Sequence, residues 1–408
     1  MKYQIEDVFS PRSFPQNTYI SRIGANGETV DDRLRKALAM KGNLIFVSGA
    51  SKSGKTVLCH NVIDEDKFIS LSGNQINSRE DFWSHIAEQI PLSDTVTTVI
   101  MQQDNAAASQ KFGVNFMGFS AGIGKTESNI AGKQLSVVNA RTERQIIKYL
   151  IDNHKILVID DFHYVAKDVQ MYIARTLKTE LFNGLKAVII SLPHRSDEAI
   201  ICNPDLIGRT TSIEIPPWSA VELKEIADKG FTLLDIELSN GCVDLLAQES
   251  ISSPQLMQDN CFNLAFNIIN KNAGHDIIAV QTAFHETARN YSHYERIVNS
   301  ISTGPIQGIN RRKQYLVEDD NVDVYKLLLL ALKADPPVTE LTLVELKGRV
   351  RNLVKGNDLP TTSILSATIN KAIEIISANM PDLDALEYKN QKLYILDPFL
   401  LFYLRWKN

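Results

Sequence analysis

The segment Gly49–Thr56 reads GASKSGKT and matches the spacing G-x-x-x-x-G-K-T of a phosphate-binding loop. An apolar run, NLIFVS, precedes the motif and the segment TVLCHNVI follows it, so the motif lies between a predicted strand and a predicted helix. In such a loop, backbone N–H groups and the helix N-terminus surround phosphate oxygens, Lys55 reaches the β and γ phosphates, and Thr56 binds Mg²⁺. The residues predicted to bind the nucleotide are Gly49, Ala50, Ser51, Lys52, Ser53, Gly54, Lys55, Thr56 and Val57.

Two adjacent carboxylates end a second apolar run, ILVIDD, at Ile156–Asp161. Ligands of open α/β sheets bind beyond the carboxyl ends of the strands, which is where this pair would lie. We expect Asp160 to hold Mg²⁺, directly or through water. Asp161 has two interpretations: it polarises the water that attacks the γ phosphate, or it starts a turn or caps the next helix.

Other motifs do not complete a site. The segment GIGKT at Gly122–Thr126 lacks the first glycine of a phosphate loop, because Phe119 stands in that place. The segment HETAR lacks the second histidine of a zinc-binding H-E-x-x-H motif, because Arg289 occupies that position. His163 follows the carboxylate pair, but a lone histidine is more often packed or solvated than a ligand.

Further apolar runs, KFISL, KILVID and KAVIIS, alternate with segments of helical period. This alternation predicts an α/β fold with a parallel, doubly wound sheet. About 100 residues separate the two phosphate-site motifs, which leaves room for an additional strand between their two strands. The stretch 92–134 has no helical period, and we interpret it as an inserted hairpin or mobile loop.

The second half of the chain has a different pattern. Ser219 and Glu222 form an S-x-x-E capping box, and helical periodicity continues from there to about Ser300. Three predicted helices and a hairpin then indicate a winged helix. The predicted division is 1–215 for the P-loop domain with an N-terminal extension, 216–301 for a helical lid, 302–317 for a linker and 318–408 for the winged helix.

With these motifs the chain resembles the AAA+ and STAND superfamily of P-loop ATPases, especially prokaryotic AAA-type ATPases with a C-terminal winged helix. The resemblance covers most of the chain, although only the two phosphate-site motifs are individually specific. It is carried by those motifs and by TYISR, SLPHR, NPDLIGR, IPPWS, SSPQLMQ and LDPFLLFYLRW. It implies a magnesium-dependent ATPase that changes conformation or oligomerises with ATP.

The resemblance also implies roles for single residues. Ser191 ends a strand where such ATPases place the polar sensor of the γ phosphate, and Arg209 matches the arginine finger that enters a neighbouring subunit's site. Tyr19 and Pro254 would lie beside the adenine, or they are packing residues. The segment Ser252–Asn270 contains no arginine, which favours the STAND group over AAA+ proteins with a sensor arginine in the lid.

Composition excludes several classes of protein. With 44% hydrophobic and 22% charged residues, the chain is typical of a soluble globular protein and not of a disordered or fibrous one. The 43 basic and 48 acidic side chains give a net charge of −5, so no global field attracts nucleic acid or anionic lipid. The longest apolar run, near Leu327–Leu332, is too short to span a membrane, and the four cysteines form no tight pairs. We expect a cytoplasmic protein.

Three functions remain open. The first is an ATP-dependent switch that forms homo-oligomers and acts on partner proteins; the resemblance implies a setting in bacterial anti-phage defence. The second is a DNA-dependent ATPase, a transposition or replication-loading helper. However, residues 318–408 carry 11 Lys and Arg against 13 Asp and Glu, and the basic run Arg311–Lys313 is either a phosphate contact or simply solvated. The third is a scaffold that binds ATP without hydrolysing it.

Overall fold

A computed structural model describes most of the chain. The described ranges are residues 3–24, 27–91, 95–100, 134–139, 143–192, 208–306, 312–381 and 383–407. The GIGKT segment, Arg311 and most of the insertion at 92–134 lie outside the described residues. Two short strands are described there, one within the insertion and one at its C-terminal end. They pair in antiparallel register, with Thr95 opposite Asn139.

The elements follow one another as short strands and helices. The strands are β1 (Leu44–Gly49), β2 (Phe68–Ser72), β3 (Thr95–Ile100), β4 (Gln134–Asn139), β5 (Ile156–Asp160), β6 (Lys186–Ser191), β7 (Thr210–Ile215), β8 (Tyr315–Val317), β9 (Asp320–Val322), β10 (Glu340–Thr342), β11 (Leu386–Lys389) and β12 (Lys392–Ile395). The helices are α1 (Ile5–Val8), α2 (Val30–Ala39), α3 (Lys55–Val62), α4 (Arg79–Glu88), α5 (Glu143–Asp152), α6 (Lys167–Phe182), α7 (Ala220–Leu233), α8 (Cys242–Glu249), α9 (Pro254–Lys271), α10 (Ile277–Asn290), α11 (Glu295–Thr303), α12 (Val324–Lys333), α13 (Leu343–Leu353), α14 (Thr362–Asn379) and α15 (Pro398–Trp406).

The central sheet is parallel and five-stranded, in the order β2–β5–β6–β1–β7. Its strands are the apolar runs of the sequence, and β1 is buried along its whole length because helices cover both faces. Strand β6 separates β1 from β5, which confirms the predicted additional strand. In this register Ser48 lies opposite Ser191, and Ser72 lies opposite Asp160. The carboxyl ends of the three strands that carry the predicted site therefore meet at one edge.

Helices α7 to α11 occupy the part of the chain predicted to be the lid, and they are called the lid below. Helix α7 begins as predicted: the Ser219 hydroxyl accepts a hydrogen bond from the Glu222 N–H, and the Glu222 carboxylate accepts one from the Ser219 N–H. One continuous cluster of buried apolar residues runs from the lid into the C-terminal part of the chain and also includes Val8 and Phe9. Because that cluster crosses residues 302–317, the division of the chain into domains there stays a prediction.

The C-terminal elements have the order of a winged helix, α12–β10–α13–α14–β11–β12, with the three strands in one antiparallel sheet. Helix α15 follows the wing and packs against the lid. Arg405 on α15 forms a bidentate pair with Glu249, whose side chain is only 2% exposed, and the Trp406 indole donates to the same carboxylate at 2.6 Å. This buried pair fixes the end of the winged helix to α8.

The described cations of the basic run are both engaged within the fold. Arg312, which is partly buried, pairs with Asp323 at 2.6 Å and donates to the Thr303 carbonyl, while Lys313 pairs with Asp358. Within the described residues, no helix is long and apolar enough to cross a membrane.

Candidate functional site

The phosphate-binding loop joins β1 to α3. Gly54 precedes the first residue of α3 with φ of +94°, a left-handed conformation that glycine adopts without strain. The first N–H groups of α3 have no partner within the helix, so they are available to phosphate oxygens, and the helix dipole adds positive potential. The sequence from Gly49 to Thr56 thus folds locally as an anion-binding turn.

Lys55 lies buried at the base of this loop. Its ammonium group donates hydrogen bonds to the carbonyls of Gly49 at 3.0 Å and Ala50 at 2.8 Å. Burial lowers the pKa of Lys55 to about 8, although the carboxylates of Asp160 and Asp161 act against that shift. The lysine is therefore protonated at neutral pH but close to titration.

Nucleotide affinity should depend on the charge of Lys55. Below pH 8 the ammonium form predominates, so affinity should be nearly constant from pH 7 to 7.5. Above pH 8 the protonated fraction of Lys55 falls, and at pH 9 only about one tenth of the lysine is protonated. Affinity for ADP should therefore be roughly tenfold lower at pH 9 than at pH 7. Calorimetric titrations across this range measure the effect. A Lys55→Arg variant should lack this fall because a guanidinium stays charged; a flat wild-type profile to pH 9 would contradict the prediction.

Thr56 and Asp160 come together across the site. The Thr56 hydroxyl donates to one oxygen of Asp160 at 2.5 Å, and the other oxygen accepts a hydrogen bond from the Asp161 N–H at 2.8 Å. Burial raises the pKa of Asp160, while the Thr56 hydroxyl acts in the opposite direction. Two hard oxygen donors beside a phosphate loop fit Mg²⁺, which takes few protein ligands and keeps water and phosphate oxygens.

Asp161 has an unusual backbone conformation, with φ of +52°. Its carbonyl accepts a hydrogen bond from the Tyr164 N–H and so starts a 3₁₀ turn, but its side chain makes no capping hydrogen bond. The backbone of Asp161 therefore starts a turn, while its carboxylate is not used in capping and can contact a water or a ligand. Gly73 approaches this peptide so closely that a Cβ atom there would lie 2.2 Å from the Asp161 carbonyl oxygen.

Replacing Gly73 with alanine should displace the carboxylate pair. The added methyl would overlap the Asp161 backbone, so we expect a loss of about 1–3 kcal/mol in the free energy of unfolding. ATP turnover should fall more than ADP affinity, because the phosphate loop itself is not contacted. Urea unfolding and steady-state ATPase assays measure these effects. Gly348→Ala is the matched control, since nothing lies within 4 Å of that position in α13; equal stabilities of the two variants would contradict the prediction.

Ser191 ends β6 between the phosphate loop and Asp160. Its side chain is 2% exposed, and its hydroxyl has no hydrogen-bond partner among the described residues. A buried hydroxyl without a partner is costly, so such groups are often completed by a ligand or water. The position is consistent with the sensor role that the resemblance implies.

A cavity of about 790 Å³ opens in front of the loop, between the sheet edge, the lid and the winged helix. Tyr19 and Pro254 both line it, as do Lys55 and Asp160. The Tyr19 hydroxyl donates to the buried Asp31 at 2.8 Å, and burial beside that carboxylate raises the pKa of Tyr19. The structure therefore places these two residues at the same cavity, and their contact with adenine stays a prediction.

Arg209 lies elsewhere. It is exposed just before β7, and its carbonyl accepts a hydrogen bond from the N–H of Leu44, at the start of β1. The phosphate loop begins at Gly49, at the other end of β1, so five residue steps of about 3.3 Å place Arg209 about 16 Å from its own loop. Arg209 does not belong to the site of its own chain.

Two residues at the cavity were assigned no role from the sequence. Arg22 and Trp218 lie within the quoted segments TYISR and IPPWS. In the structure they contact each other, and Trp218 also contacts the phosphate loop. The two residues are 196 positions apart, so no local pattern in the sequence could indicate that they meet. Only the fold brings them together.

No protein-family model and no curated protein sequence matches this chain. Among solved structures, Cdc6p of Pyrobaculum aerophilum is similar over 98% of this chain and 97% of its own, with 13% identity and a TM-score of 0.45. A Walker-type ATPase of Pyrococcus abyssi is similar over 92% and 94%, with 12% identity and a TM-score of 0.49. The Orc1 protein of Aeropyrum pernix, solved in complex with DNA, is similar over 98% and 95%, with 15% identity and a TM-score of 0.46.

Similarities this distant do not indicate an activity. The fold is therefore assigned from the geometry of the chain itself. The strand order β2–β5–β6–β1–β7, the loop that joins β1 to α3 and the carboxylate at the end of β5 together define the additional-strand type of P-loop fold. The predicted fold class is confirmed: the chain has an α/β P-loop fold with a parallel five-stranded sheet, followed by helices α7 to α11 and by C-terminal elements in winged-helix order.

Proposed function

We propose that this protein binds ATP with Mg²⁺, hydrolyses it, and uses the cycle as a STAND-like switch that acts on partner proteins. The observation that carries the proposal is the contact of Thr56 with Asp160 at 2.5 Å beside the buried Lys55. A lysine and a hydroxyl at the start of α3, together with a carboxylate at the end of β5, are the groups that a magnesium–nucleotide complex needs.

The proposed chemistry is phosphoryl transfer to water. The N–H groups of the loop and the Lys55 ammonium would hold the β and γ phosphates in place. Mg²⁺, held by Thr56 and Asp160, would neutralise charge on the phosphates. Asp161 would orient the attacking water, and Ser191 would donate a hydrogen bond toward the γ phosphate. Positioning and charge account for most of the catalysis in this class of reaction.

Protein partners are favoured over DNA by the surface charge of the winged helix. Lys371, the single cation of α14, pairs with Glu374 at 2.6 Å. Arg312 and Lys313 are engaged with acidic side chains of the fold. A DNA-binding surface needs cations that are free to replace the counterions of phosphates.

A switch is favoured over a fast motor by the composition of the lid. Segment Ser252–Asn270 contains no arginine, so the start of α9 brings no such cation toward the cavity that Pro254 lines. Without one, the lid contributes less to transition-state stabilisation, and turnover should be slow. The bacterial defence setting is what the resemblance implies for such a switch.

ATP turnover with and without duplex DNA, recorded together with the mass from light scattering, tests this function. Turnover that DNA leaves unchanged, with a mass that rises when ATP is added, supports a nucleotide-gated protein switch. Stimulation by DNA would favour the transposition or replication-loading alternative. Binding of ATP without turnover would favour the scaffold alternative.

Replacing Asp161 with asparagine should separate binding from hydrolysis. The amide keeps the shape of the side chain but cannot accept a proton from the attacking water, so turnover should fall about a hundredfold. ATP should stay bound in the variant, since the loop and Lys55 are unchanged. Single-turnover assays with labelled ATP measure both quantities. Asp168→Asn, on the exposed first turn of α6, is the control; equal turnover in the two variants would exclude a catalytic role for Asp161.

A further inference from the structure

The segment that connects the sheet to the lid is hydrogen-bonded to the phosphate loop. Trp218 lies between β7 and α7, and its side chain is 9% exposed. The indole N–H donates to the backbone carbonyl of Ser53, inside the loop, at 2.9 Å. One buried hydrogen bond therefore joins the loop that would surround the phosphates to the segment that leads into the lid.

Arg22 extends this link to the lid. Its guanidinium lies over the Trp218 ring, 4.4 Å from the ring centre, and is 4% exposed. It donates to the carbonyls of Pro216 at 2.7 Å and Pro217 at 3.0 Å. It also forms two hydrogen bonds, of 2.9 and 3.1 Å, with the carboxylate of Glu222, the residue that caps α7. One side chain thus holds the indole, the connecting backbone and the first turn of the lid.

The loop side of this link depends on what Lys55 contacts. The ammonium group bonds the carbonyls of Gly49 and Ala50, and the buried Ser53 hydroxyl has no hydrogen-bond partner among the described residues. Phosphate oxygens compete for Lys55 and for the N–H groups of the loop. A change in those bonds would rotate peptide groups of the loop, including the one that carries the Ser53 carbonyl. If the free energy of a contact differs between the nucleotide-free and nucleotide-bound states, that contact couples the two sites that it joins.

We propose that Trp218 is a positioning residue that couples occupancy of the phosphate loop to the lid, through the indole hydrogen bond to Ser53 and the contacts of Arg22. The inference rests on the proposed binding of nucleotide and adds the route by which binding reaches α7. Loss of the indole N–H alone disconnects the loop from the lid while the loop remains able to bind.

The variant Trp218→Phe tests this link, because phenylalanine keeps an aromatic ring at this position and removes the donor together with the second ring of the indole. Trp83→Phe is the matched control, since the Trp83 indole donates to the Tyr172 hydroxyl at 2.8 Å in a separate core. Hydrogen exchange of residues 220–233 is measured with and without ATP, and tryptophan emission is recorded in the same states. Affinity is measured by calorimetry.

In wild type and Trp83→Phe, we expect ATP to change both the exchange of residues 220–233 and the tryptophan emission. In Trp218→Phe, ATP should still bind, with an affinity within about tenfold of wild type, because the lost hydrogen bond does not contact the nucleotide, and the response of α7 should disappear. An unchanged α7 response in Trp218→Phe, or wild-type binding without any α7 response, would overturn the inference alone. Absence of calorimetric binding by wild type would overturn the proposed nucleotide binding and the inference with it.

Discussion

Replacing Lys55 with alanine should lower the affinity for both ATP and ADP by about a hundredfold, because charge-assisted hydrogen bonds to phosphate are worth about 1.5–3 kcal/mol. The ammonium group lies at the base of the loop, and truncation leaves the phosphate charge to the backbone N–H groups alone. Removing a buried cation also removes its desolvation cost, so the variant should fold. Calorimetry with ADP and thermal unfolding measure the two effects separately.

Lys52 provides the control within the same loop. It is exposed and has φ of +60°, and alanine can replace it without removing a buried contact. We expect Lys52→Ala to keep ADP affinity within about threefold of wild type, since exposed charges contribute little. If the two variants lost affinity equally, general electrostatic attraction would explain binding and the assignment of Lys55 would be wrong.

The centre of the sheet was predictable because β1, β5 and β6 are buried on both faces. Residues Ile156–Asp160 and Lys186–Ser191 appear in the sequence as continuous apolar runs, and the structure places a strand at each. The additional strand was expected from the chain length between the two motifs, but the strand that separates β1 from β5 is β6, which follows the second motif. Proximity of Thr56 to Asp160 was also expected, since parallel strands end at one edge. The 2.5 Å contact itself depends on rotamers and register, which the sequence does not encode locally.

Helix α15 was missed for a physical reason. Residues 398–404 are all buried, because α15 lies between the lid and the winged helix, so the segment PFLLFYL has no polar face and no helical period. A start signal was present: Asp397 caps the helix and Pro398 is its first residue. The packing of Arg22 on Trp218 could not be predicted from the sequence either, because only the complete fold brings these two segments together.

Replacing Arg209 with alanine should lower ATP turnover about a thousandfold and leave ADP affinity unchanged, if Arg209 acts as an arginine finger between subunits. The arginine is exposed at the amino end of β7, on the edge of the sheet opposite the phosphate loop, so it serves the site of another copy or none. Steady-state turnover at protein concentrations above and below the assembly range measures this effect. Arg35→Ala, at an exposed position on α2, is the control, and unchanged turnover in Arg209→Ala would exclude the finger.

Mixing variants distinguishes a finger from a structural arginine. In Lys55→Ala the phosphate loop is inactive but Arg209 is intact, whereas Arg209→Ala has an intact loop. If sites form between copies, an equal mixture should recover a substantial part of wild-type turnover, because some loops then meet a neighbour's arginine. A structural role of Arg209 within its own chain predicts no recovery, since each defect stays in the chain that carries it. Recovery that rises with the excess of Lys55→Ala would place the shared site at the interface of two copies.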